Sequence, residues 1–282
     1  MNITRLEEAI KKKFASNWTL GASTLPYPHD PVKGVKALLD SGIGLKRLEI
    51  ALAEPLGDKN STAKELNRLK EEHDLEYSVH VPFLYDDLAH PHEPIRRVFI
   101  EEAKNTIDLA GSIGAGGVVL HPGYLFIRNT LPDVAALEPL QYTRQSYLSN
   151  SLQSLKELSD YSLGLDSKLL VENLPAGLCD EAGEVRKVIS SLENAEFLMD
   201  IGHANVSGTT DDLLNLEPRF FHFNDNGGTD DSHERLGAGT VDLKHILERL
   251  KKYDADKTII FELYSVRDVL SSLDTFVSTL GL

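Results

Sequence analysis

The chain has 282 residues, a hydrophobic fraction of 41% and a charged fraction of 26%, as expected of a soluble globular protein with one sizeable core. Its formal net charge of −15 argues against polyanionic partners, because nucleic-acid affinity rests largely on Lys and Arg contacts with phosphate. No apolar run reaches the length of a membrane span, so no membrane association is expected, and the lone Cys179 excludes an internal disulfide.

The N-terminal pattern around Thr4–Phe14 is an amphipathic helix, with Leu6, Ile10 and Phe14 at helical spacing. It lacks the apolar core of a signal peptide, which makes a cytoplasmic location the expectation. Strand one is predicted over 18–23, a helix over 31–41, and strand two, L-K-R-L-E-I-A-L, over 45–52. A helix over 61–73 has Ser61 or Thr62 available as its N-cap. Strand three (75–82) carries His80, and a long helix begins near Pro94 and stops by Gly114. Strand four (117–123) carries His121. A loop with Tyr124, Arg128 and Asn129 then leads to a helix from about Pro139 to Leu163.

Strand five (168–175) carries Glu172, and a helix over 181–192 follows. Strand six (196–203) ends in Asp200 and His203, and a short helix near Thr210–Leu216 leads on to strand seven. Strand seven (219–225) carries His222 and opens into a loop with Asp225, Asp231 and His233. In an extended segment Asp231 and His233 point to one side and can grip one ion. Gly227, Gly228, Gly237 and Gly239 allow that loop to fold back tightly. A helix over 241–252, strand eight (258–264) with Glu262, and a helix over 266–280 complete the chain.

Eight short apolar strands alternating with helices predict a parallel sheet closed into a single (β/α)8 TIM barrel with an extra N-terminal helix, one domain over 1–282. An open doubly wound sheet is disfavoured because no glycine-rich phosphate loop follows strand one. A lone histidine at a strand end is ordinarily a hydrogen-bonded rim residue. Six consecutive strands ending in His, Asp or Glu converge instead on the face where barrel active sites form. Carboxylates crowded there repel one another and resist desolvation, costs that divalent cations remove. Imidazole with carboxylate suits zinc, manganese, iron or cobalt better than calcium.

The motifs S-V-H-V-P-F (78–83), V-V-L-H-P-G (118–123), V-E-N (171–173), D-I-G-H (200–203), H-F-N-D (222–225), D-S-H-E-R-L-G-A-G (231–239) and F-E-L (261–263) resemble the xylose isomerase-like barrel superfamily. That superfamily joins sugar-phosphate isomerases and epimerases to the endonuclease IV-type apurinic endonucleases. The endonuclease resemblance implies three zinc ions. His80, His121 and Glu172 would hold one; Glu172, Asp200, His222 and Glu262 a second; His203, Asp231 and His233 the third. They would hydrolyse a DNA phosphodiester. The isomerase/epimerase resemblance, carried also by V-H-V-P-F-L-Y-D-D-L-A and by strand two, implies one ion on Glu172, Asp200, His222 and Glu262 and a small sugar-type substrate. Glu172 and Glu262 would then move a proton through an enediolate, with His203 and Arg235 steadying substrate oxygens and Phe83 forming a pocket wall. The amide–aromatic stretch and DNA-inserting arginine typical of the endonucleases are missing, so the isomerase/epimerase reading leads and DNA is a partner only under the alternative. An idle metal-binding barrel, the third reading, is disfavoured by the intact Glu172/Glu262 pair. Oligomeric state has no signature in the sequence.

Overall fold

The computed structural model describes residues 3–84, 87–125, 143–165, 167–175 and 177–282. Eight strands pair in chain order and close on themselves: β1 (Trp18–Ser23), β2 (Arg47–Ala51), β3 (Glu76–His80), β4 (Gly117–Leu120), β5 (Lys168–Glu172), β6 (Ala195–Asp200), β7 (Phe220–Phe223) and β8 (Lys257–Phe261). Every pairing is parallel, and β8 returns to β1 with Trp18 opposite Lys257. The expected barrel is present, and α1 (Ile3–Phe14) precedes its first strand. Among the described residues no helix is long and apolar enough to cross a membrane.

The helices are α2 (Pro31–Asp40), α3 (Lys59–His73), α4 (Glu93–Ser112), α5 (Arg144–Ser162), α6 (Ala182–Ile189), α7 (Ile201–Ser207), α8 (Thr210–Leu214), α9 (Leu243–Leu250) and α10 (Val266–Leu280). Several boundaries depart from expectation, two helix starts among them. Asp58, rather than Ser61 or Thr62, caps α3, its carboxylate accepting the Ser61 amide at 2.9 Å. Asp accepts that bond as well as Ser does, and the helix starts two residues earlier than expected. The helix expected from Pro139 is seen from Arg144, capped by Thr143; Arg128, Asn129 and 139–142 lie outside the described residues.

The larger core lies between the barrel wall and the helices, where Trp18 stacks on Phe14 and Phe276 packs edge-on against Phe223 and Phe261. A smaller cluster of Val119, Leu170 and Leu198, with Phe220 against it, fills the barrel interior. Side chains two apart on a strand share a face. The residues two further along from these four are His121, Glu172, Asp200 and His222. An apolar layer inside the barrel therefore carries the ligand-type side chains directly above it.

Candidate metal centre

The nine residues singled out in the sequence come together at the mouth. Ligand-capable atoms gather in three groups: His80, His121 and Glu172; Glu172, Asp200, His222 and Glu262; and His203, Asp231 and His233, each within 4.8 Å. Glu172 belongs to two of them. Its Oε2 lies 3.3 Å from His80 Nε2 and 3.4 Å from His121 Nε2, and its Oε1 lies 3.1 Å from His222 Nδ1. His222 Nδ1 is also 2.9 Å from Glu262 Oε2. Asp231 Oδ2 meets His203 Nε2 at 3.1 Å and His233 Nε2 at 3.2 Å.

In each histidine the ring nitrogen turned away from its group is also engaged. His80 Nδ1 donates to the Val81 carbonyl (2.8 Å), His203 Nδ1 to that of Asn173 (2.7 Å) and His233 Nδ1 to that of Glu262 (3.0 Å). His121 Nδ1 lies 3.2 Å from the Tyr124 hydroxyl, and His222 Nε2 lies 3.0 Å from Glu49. Such outer partners fix the tautomer that leaves a lone pair for an ion. Converging lone pairs, shared carboxylates and near-complete burial fit one or more divalent ions.

Local structure differs from expectation at two ligands. β6 ends at Asp200, and His203 sits on the first turn of α7, whose N-terminus Asp200 caps by accepting the His203 amide at 2.6 Å. His233 has φ +45°, so Asp231 and His233 converge through a left-handed turn and not along an extended strand. Asp225 is a clamp for that loop. It is buried, accepts the amides of Asn226, Gly237 and Val241 at 2.8–3.0 Å, and pairs backbone to backbone with Glu234. Gly239 packs so closely that a Cβ there would stand 2.1 Å from the Asn226 carbonyl and 2.4 Å from Asp225 Oδ1. Gly239→Ala should therefore cost about 1–3 kcal/mol by overpacking. A urea melt checks this; an unchanged midpoint would show that the loop yields freely.

Phe83 and Tyr124 line the mouth, a cavity of about 310 Å³ that Leu25, Leu174, Pro175 and Tyr264 also border. Phe83 stands edge-on to His80 at 6.0 Å, and Leu84 is exposed. Arg235 is exposed and is not among the described residues lining that cavity. Sequence reasoning assigned no role to Asn173, Asn224 or Glu49. Asn173 exchanges two hydrogen bonds with the Asp200 backbone, and Asn224 Nδ2 donates to Asp200 Oδ2 at 2.7 Å. Both asparagines directly follow or nearly follow a ligand in sequence, the one signal that could have marked them.

The carboxylates are not without basic partners, because the histidines supply positive charge. Burial opposes protonation of His203, but Asp200 and Asp231 outweigh it and raise its pKa to about 10. His233 is raised to about 9 by Asp231 and Glu262 against the same burial. Burial raises Asp200 to about 6, with Glu172 repulsion adding to it, whereas the imidazoles hold Glu172 well below the usual carboxylate range despite its burial. A histidine raised above its unfolded value near 6.5 stabilises the fold below that value and ceases to as pH passes its folded pKa. The metal-free protein should accordingly lose thermal stability between pH 7 and 10. An ion displaces the same protons, so metal affinity should rise across that window. Thermal melts at stepped pH, with and without zinc, test both; a flat metal-free profile would contradict the assignment.

Residues 42–276 match the family described as xylose isomerase-like TIM barrel. The chain belongs to that family. An uncharacterized protein of Methanocaldococcus jannaschii, MJ1311, is 27% identical over 95% of this chain and 91% of its own length. The crystal structure of a D-tagatose 3-epimerase-like protein is similar with a TM-score of 0.74, 25% identity, and coverage of 93% of this chain and 97% of that one. Endonuclease IV from Thermus thermophilus shares the fold, with a TM-score of 0.66, 19% identity, and coverage of 94% and 98%. The fold is thus shared with an epimerase-like protein and with an endonuclease.

Proposed function

We propose that the chain is a divalent-metal-dependent isomerase or epimerase of a small sugar-type molecule. The observation that carries this reading is the pair Glu172 and Glu262, two buried carboxylates from β5 and the end of β8 that face the same 310 Å³ cavity and share His222. The cavity is at the small end of the range for small-molecule sites, and its walls combine polar floor with apolar and aromatic sides. Glu172, Asp200, His222 and Glu262 would hold the ion, whose chemistry is to polarise a carbonyl and its neighbouring hydroxyl and so acidify the carbon between. Glu172 and Glu262 then divide the proton transfer: one, as a carboxylate, would remove the carbon-bound proton, and the other, carrying a proton taken up from solvent, would deliver it to the opposite face, so that the pair holds one proton before and after. Burial opposes ionisation of both, but the imidazoles hold Glu172 below the usual carboxylate range and His222 and His233 hold Glu262 at about 2, so a carboxylate is available as the base. His203 offers a contact for substrate oxygens at the cavity edge. Leu25, Phe83 and Tyr264 hold bulk water back from the floor.

Deuterium exchange tests this directly. The metal-loaded protein, incubated in D2O with a panel of ketoses, aldoses and their phosphates, should wash deuterium into the carbon next to the carbonyl of at least one. No exchange and no product across the panel would overturn it.

One observation favours a second reading: all three ligand groups are complete, more than a single-ion enzyme requires. Hydrolysis of a DNA phosphodiester at an abasic site uses such a cluster to activate water and stabilise in-line attack. The acidic net charge weighs against it. Salt-sensitive nicking of an abasic duplex by the zinc-loaded protein would support this second reading, and its absence would remove it.

A further inference from the structure

Glu49 lies on β2, beneath the floor of the site, and belongs to none of the three groups. It is 1% exposed. One carboxylate oxygen, Oε2, accepts the Ser78 hydroxyl at 3.1 Å. The other, Oε1, stands 3.0 Å from His222 Nε2, at ion-pair distance but out of hydrogen-bond alignment, and neither of those two buried atoms has a hydrogen-bond partner. A buried polar atom left unpaired costs about 1–3 kcal/mol, and a small swing of the imidazole toward Glu49 would pair the two. Below the carboxylate a cavity of about 170 Å³ runs between Arg47, Ser78, Leu170 and Leu198, roomy enough for ordered water beside it.

His222 is the one histidine of the centre that turns Nδ1, not Nε2, to its group, and its far nitrogen has a carboxylate nearest, at 3.0 Å, against 3.5 Å from His203 Nδ1 to Glu172 and 3.9 Å from His233 Nδ1 to Glu262. The others are backed by backbone carbonyls or, for His121, by a tyrosine hydroxyl. A carboxylate behind an imidazole fixes its tautomer and raises its basicity as a ligand more than a neutral acceptor does. We infer that Glu49 is a positioning residue: anchored by Ser78, it accepts the Nε2–H of His222, holds the Nδ1 lone pair toward Glu172, Asp200 and Glu262, and makes that four-residue group the first of the three to take an ion. Its three carboxylates and almost complete burial act in the same direction. The outer group contrasts with it: it has one carboxylate, and Asp231 and His233 are both part-exposed.

This inference rests on the metal reading and is independent of which reaction the site performs. Competition titration of the full-length protein with zinc and a chelator, on wild type, E49Q and S78A, tests it. E49Q should weaken the tightest zinc step by about 10- to 100-fold and leave the weaker steps unmoved, with S78A smaller in the same direction. Nitrogen-15 histidine spectra of the zinc-loaded protein should show a slowly exchanging, downfield Nε2–H for His222 that moves or vanishes in E49Q. Metal-free melting of E49Q separates these effects from loss of fold. A tightest step unchanged within about threefold, with the His222 signal unmoved, would overturn the inference, as would an E49Q effect confined to the weaker steps. A wild type that takes up no zinc at all would overturn the metal reading as well, and so the two failures are distinguishable.

Discussion

Glu172→Gln is expected to disable two ion groups in one substitution, because Glu172 serves the His80/His121 pair through one oxygen and His222 through the other. Gln keeps the shape and removes the charge. Metal content should fall by at least the ion of the four-residue group, and turnover by about 10³-fold or more, since a transition-state base is lost along with the ion it helps hold. The metal-free protein should also weaken by up to about 3–5 kcal/mol, the cost of stripping one partner from a buried charge cluster. That loss should be greatest near pH 5, where the surrounding histidines hold their protons, and smaller where they can release them. Elemental analysis and urea melts at two pH values read both effects. Full metal content in the variant would remove Glu172 from its shared position.

Glu262→Gln separates chemistry from scaffold. Glu262 is 5% exposed, follows β8, and meets His222 at 2.9 Å, while its backbone carbonyl, untouched by the substitution, still accepts His233. The fold and the outer group should survive, and kcat should drop by about 10²- to 10⁴-fold for loss of one acid/base group. Loss of a metal ligand adds to this, so the variant is assayed at saturating metal. Wild-type turnover under those conditions would exclude Glu262 from the proton transfer. A drop in activity accompanied by a collapse in metal-free melting temperature would assign it a structural role instead.

The ligand positions at the strand ends were legible because each breaks a short apolar strand with one polar side chain, and a parallel barrel sends all such breaks to one face. Val119–His121, Leu170–Glu172, Leu198–Asp200 and Phe220–His222 repeat one pattern: an inward apolar residue with a ligand two places on. Features set by tertiary contact were not legible. D-I-G-H reads as the end of an apolar strand, since Met199 and Ile201 flank Asp200, yet the chain turns into α7 there because Asp200 caps the helix and Asn173 and Asn224 hold it. Asp231 and His233 share an ion group as expected, but through a left-handed residue that no alternation pattern reveals. Glu49 was hidden for a similar reason. Its partners, Ser78 and His222, lie on strands distant in sequence, and nothing within strand two marks the residue as different from any other inward carboxylate.

The charge arrangement also differs from what residue types alone suggest. Counting carboxylates implies mutual repulsion relieved only by metal. The structure adds a second means of relief in protonated imidazoles, which makes the metal-free centre a stable charge cluster with protons to exchange for ions.

These residues are proposed to form a divalent-metal centre with the four-residue group at its heart. Anomalous scattering from crystals of the metal-loaded protein, with elemental analysis of the same sample, tests it most directly. The predicted result is an ion coordinated by Glu172, Asp200, His222 and Glu262, at full occupancy before any ion on the other two groups. Protein that binds no divalent ion after loading, or that binds it only away from these nine residues, would contradict the account.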